Sequence, residues 1–127
     1  MKFIEEMKKI GKELKKMGFS FFIPPIAKGV DYWAKDNSKK VKAKKELGLI
    51  SEYMKKIEKS DAILVVNITK GKIRNYIGAN TFLEMGFAHY RKKKIYILNP
   101  LPKQDYIIDE LLTFEPIVIN GKLNLIK

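Results

Sequence analysis

The chain of 127 residues is long enough for one real core and reads as a single α/β domain, 1–127. It has no cysteine and one histidine, His89, which excludes disulfides, thiolate metal sites and a zinc constellation. The net charge of +12 is almost wholly lysine, because Arg74 and Arg91 are the only arginines; an anionic small substrate suits that charge as well as a nucleic acid does, and specific base contacts favour the arginine fork.

The N-terminus alternates lysine and glutamate with apolar residues, which is not a signal peptide. Phe3, Met7, Ile10, Leu14 and Met17 recur at steps of four and three, which predicts a helix with lysines on its other face and Gly18 as its stop. Phe19 to Ile23 is a short apolar strand ended by Pro24-Pro25. Residues 26–45 form a lysine-rich loop that contains Tyr32, Trp33 and the run Lys39–Lys45. Leu47, Ile50, Met54 and Ile57 mark a second amphipathic helix, and Ser60-Asp61 turns into a buried strand, Ala62–Asn67. A loop over 68–78 leads to a helix over 79–91, closed by Arg91-Lys-Lys-Lys94 against the helix dipole. Ile95–Leu98 is the next strand, and 105–113 a short helix. Pro116–Ile119, Asn120-Gly121 and Lys122–Ile126 form a hairpin signal. No apolar run approaches the roughly 20 residues of a membrane span, so no membrane partner and a cytoplasmic protein are expected.

Helices alternating with near-continuous apolar strands argue for a mostly parallel sheet covered on both faces. Doubly wound folds usually begin with a strand. Here the chain enters on a helix, so either Met1–Ile4 does double duty or the first strand is missing.

The richest segment for chemistry is the buried strand, its Gly- and Asn-containing loop and the helix that follows, because α/β sheets place ligands outside strand carboxyl ends and against helix N-termini. Glu84 lies about one turn inside that helix. With Thr81 it fits a capping box, Thr81 as N-cap. The same position suits an anionic nucleophile at a sugar anomeric carbon, held as the anion by the helix N-terminus. Asn67 and Asn99 end their strands as turn residues or ligand contacts. Gly78 permits close backbone approach at the helix start, and Asn80 is an N-cap candidate or a contact in the same mouth. Tyr32 and Trp33 either stack on a base or anchor their loop. His89, five residues past Glu84, points about 140° away around the helix and is no partner to it.

Ser60-Asp-Ala-Ile-Leu-Val-Val-Asn67, the segment Gly78-x-x-Thr-x-x-Glu-x-Gly-x-Ala88 and Lys94-Ile-Tyr-Ile-Leu-Asn-Pro100 resemble the nucleoside 2-deoxyribosyltransferase-like superfamily over roughly residues 46–120. The resemblance implies a flavodoxin-like or Rossmann-like three-layer sandwich and homo-oligomers, dimers or larger. It implies cleavage of the N-glycosidic bond of a (deoxy)nucleoside or nucleotide, the glycosyl group passing to another base or to water, without cofactor or metal. Glu84 would be the nucleophile and Gly78 would approach the sugar or phosphate; Asn67, Asn80 and Asn99 would line the mouth. Residues 67–83 contain no Asp or Glu, so a proton donor to the leaving base would come from elsewhere, such as Asp31, Asp36 or a neighbouring subunit. The alternatives are a nucleotide-binding or sensing module without catalysis on the same fold, and a nucleic-acid binder driven by lysine.

Overall fold

The computed structural model describes residues 2–23 and 49–127. The loop over 26–45, with Asp31, Tyr32, Trp33, Asp36 and Lys39–Lys45, lies outside those residues.

Helix α1, Lys2–Lys16, half-buries Met7, Ile10 and Leu14 and exposes its lysines from Lys8 onward. Gly18 ends it at φ +92°. Its N–H donates to the Lys15 carbonyl and that of Phe19 to the Leu14 carbonyl, both at 3.0 Å, a closure that favours glycine at the left-handed position. Phe19–Ile23, expected as a strand, forms none. It is instead held by its aromatic side chains. The Phe21 ring takes the place a side chain at Gly11 would need, 2.5 Å from a Cβ there, and the Lys56 ammonium sits 5.4 Å from the centre of the Phe22 ring.

The remaining elements are α2 (Leu49–Glu58), β1 (Ala62–Val65), α3 (Ala79–Tyr90), β2 (Lys94–Ile97), α4 (Ile108–Thr113), β3 (Ile117–Val118) and a 3-10 turn, Leu123–Leu125. The strands form one parallel sheet in the order β1-β2-β3, with Ile63 beside Ile95, Val65 beside Ile97 and Ile97 beside Val118. Parallel neighbours need a crossover, supplied by α3 between β1 and β2 and by α4 between β2 and β3. Val65, Ile95 and Ile97 bury one face of the sheet with Ile57 of α2, Met85 and Ala88 of α3 and Leu111 of α4. At the far end of α3, Arg91 pairs with Glu58 of α2 at 2.8 Å; both side chains are largely exposed, so the pair adds at most about 1 kcal/mol.

The expected C-terminal hairpin does not form. Asn120 (φ 49°) and Gly121 (φ 77°) do make a tight turn. The chain is still paired with β2 up to that point, Ile119 and Gly121 donating to the carbonyls of Ile97 and Leu98 at 2.9 Å. Beyond it, the 3-10 turn half-buries Leu123 and Ile126, and the Lys127 N–H reaches the Tyr96 hydroxyl at 3.3 Å. Burial of those two apolar side chains thus displaces the return strand. No helix among the described residues is long and apolar enough to cross a membrane.

Candidate functional site

Hydrogen bonding along β1 decides which way its backbone faces. The Val65 carbonyl accepts from the Leu98 N–H at 2.9 Å. Val65 therefore turns its polar groups to β2, and by the alternation of a parallel ladder so does Ile63. Ala62, Leu64 and Val66 turn theirs to the outer edge. That edge borders a cavity of about 450 Å³, walled by α1, residues 19–23, Tyr53, Lys56 and Ile57 of α2, and Thr81 and Glu84 of α3.

Glu84 and Thr81 reach this cavity because they lie three residues apart on one side of α3. The capping box does not form. Gly78 is the N-cap, extended at φ −81° and ψ 171° and without a side-chain cap bond. Thr81 is thus the third helical residue and Glu84 the sixth, beyond the turn in which the helix dipole acts strongly. Desolvation prevails: burial pushes the Glu84 carboxyl from its ordinary 4.5 up to about 7. Tyr53, across from it on α2, has its phenol pushed up as well, first by burial and then by the charge of Glu84. No ion pair to Glu84 forms among the described residues. At neutral pH the cavity therefore carries a carboxyl present in both protonation states beside a phenol that keeps its proton.

Asn67 and Asn99 are brought together, at the carboxyl ends of β1 and β2. The Asn67 amide donates to the carbonyls of Asn99 (3.0 Å) and Pro100 (3.1 Å), and its Oδ1 accepts from the Asn99 N–H at 2.9 Å. Asn99 returns a bond from Nδ2 to the Asn67 carbonyl at 2.9 Å. Asn75, at φ 57°, adds a third side-chain donor to this lock through its own bond to the Pro100 carbonyl at 3.1 Å. Gly78 lies beside the Tyr76 ring, which a Cβ there would approach to 3.4 Å, and Asn80 is exposed in the first turn of α3. None of Asn67, Gly78, Asn80 and Asn99 is on the wall of the cavity that Glu84 faces. His89 is turned to the Phe114 ring, 5.3 Å between centres.

Two side chains of consequence escape a reading by motif. Tyr53 joins Ile50 and Ile57 at helical spacing and so passes for core, and only its neighbour on α3 gives it a polar setting. Gln104 is buried and stands in for a strand partner to Ile77, accepting from its N–H at 2.8 Å and donating to its carbonyl at 3.1 Å; this fixes the approach to α3. Comparison of the chain with protein-family models, curated proteins and solved structures found no match.

Proposed function

We propose that this protein cleaves or transfers at the N-glycosidic bond of a nucleoside or nucleotide, with Glu84 as nucleophile. The observation that carries the reading is a desolvated carboxyl, titrating at about 7, on the wall of a cavity of about 450 Å³. A cavity of that size suits a nucleoside-sized ligand, and a partly desolvated carboxylate is a stronger nucleophile than a solvated one. In the first step a Glu84 oxygen bonds to the anomeric carbon while the bond to the base nitrogen breaks. The electron pair leaves on that nitrogen, which takes a proton from water. In the second step water, or the nitrogen of another base, attacks the same carbon and releases the carboxylate. Lys56 and Lys59, at the cavity wall, would draw in an anionic substrate. The fuller doubly wound sandwich and a dimeric assembly belong to the same proposal, as does a cytoplasmic setting.

The test is release of free base from deoxynucleosides and their 5′-monophosphates, followed by chromatography. Cleavage by the native chain is expected to rise with pH through about 7, because the attacking form is the carboxylate. Glu84→Ala is expected to lower it at least a thousandfold with the fold retained. Binding of these compounds without turnover would sink the catalytic reading and leave a nucleotide-binding module.

A further inference from the structure

β1 has the make-up of an inner strand. From Ala62 to Val66 its residues are apolar, without charge or proline, and none is exposed. Strands at a sheet margin are normally guarded by lysine, proline or a bulge. Among the described residues, however, only β2 pairs with β1. The outward N–H and C=O groups of Leu64 and Val66 open on the cavity, whose far side is residues 19–23 and the Met7, Ile10 and Leu14 face of α1. The space is a slot, with a row of backbone donors and acceptors on one side and apolar side chains on the other.

We propose that this slot receives an extended peptide segment of a partner protein, apolar with acidic flanks, which adds to the sheet as a strand beside β1. A four-residue strand spans about 13 Å at 3.3 Å per residue, the length that β1 offers. Its alternating side chains would meet Tyr53 and Ile57 from α2 and Ile10 and Leu14 from α1. A second copy is the poorer occupant, because the β1 edge of each copy is walled by its own α1 and residues 19–23, so two such edges do not meet. The charge of the rim selects the flanks. Lys56, Lys59 and Lys127 border the slot against the two carboxyls of Asp61 and Glu84; none of the three lysines is in an ion pair among the described residues, which leaves a cationic excess at the rim of a chain of net charge +12. The slot is the cavity that Glu84 faces, so a peptide and a nucleoside would compete for it; peptide binding uses the edge of β1 and not the chemistry of Glu84, and it stands or falls by its own test.

The probe is a fluorescein-labelled peptide, Asp-Asp-Val-Ile-Val-Val-Asp-Asp, titrated into the full chain and followed by fluorescence anisotropy. Amide exchange is followed by NMR in parallel, with no nucleoside present. Saturable binding is expected, with exchange at Leu64 and Val66 slowed at least tenfold and little change at Ile63 and Val65, which already face β2. Ile10→Lys, checked for retained helix content, is expected to weaken binding at least tenfold. N-methylation of alternate peptide residues is expected to abolish binding for the set that faces β1. Three results would overturn the proposal: Leu64 and Val66 as protected in the free protein as Ile63 and Val65, no added protection at saturating peptide, or equal binding of a lysine-flanked counterpart.

Discussion

Asn67 is the residue whose identity the structure explains most fully. Its amide nitrogen donates to two carbonyls while its oxygen accepts a backbone N–H, and no other side chain of that size offers both functions. An aspartate there would set a carboxylate against the carbonyls of Asn99 and Pro100. Asn67→Asp is therefore expected to cost about 3 kcal/mol in urea denaturation at pH 7, and less at a pH low enough to protonate the new acid. At this strand end the packing demands a donor. Glu84 presents the opposite case, an ionisable group held where its charge is unwelcome. Between its ordinary 4.5 and about 7 the folded chain keeps a proton that the unfolded chain has released, so raising the pH through that window favours unfolding. The cost is absent below 4.5 and fully developed above about 7, where it reaches about 3 kcal/mol. Glu84→Gln should stabilise the protein by up to that amount at pH 8 and by almost nothing at pH 4, as read from denaturation midpoints. A loss of stability at pH 8 would show that the carboxylate is better solvated than its burial implies.

At the scale of elements, the end of α3 carries a correctable strain. The Lys93 N–H donates to the Ala88 carbonyl at 2.8 Å and that of Lys92 to the His89 carbonyl at 3.0 Å, which places Lys92 in the left-handed position, at φ 58°. Lys92 is exposed, and glycine adopts that conformation without steric cost. Lys92→Gly should raise stability by about 1 kcal/mol; an unchanged or lower melting temperature would refute this. Elements governed by helical or strand periodicity were legible from sequence. The 79–91 pattern corresponds to α3 at 79–90, and 95–98 to β2 at 94–97, because Met85 and Ala88 of the one and Ile95 to Ile97 of the other anchor them in the core. What tertiary contacts decide was not legible. Phe19–Ile23 has the composition of a strand but is captured by Gly11 and Lys56. The turn at Asn120-Gly121 forms, yet burial of Leu123 and Ile126 overrides the hairpin. The candidate site was legible in part. Glu84 was found through its place in α3, whereas Tyr53 beside it and the Asn67–Asn99 lock depend on residues far apart in sequence.

For the whole molecule, lysine excess sets the response to salt. A net charge of +12 on so small a chain makes self-repulsion a destabilising term, and salt shortens its range from about 30 Å at 0.01 M to about 8 Å at 0.15 M. The melting temperature should rise by a few degrees over that interval at pH 7; a fall would mean that surface ion pairs outweigh repulsion. The core draws on α2, the three strands, α3 and α4, from Ile57 to Leu111, whereas α1 faces the sheet across the cavity. A helix so placed has little to lose by swinging away, and this gives the protein two kinetic layers. Opening of α1 should proceed on a faster clock than global unfolding, and proteases should cut after its lysines while residues 49–127 survive as a resistant fragment.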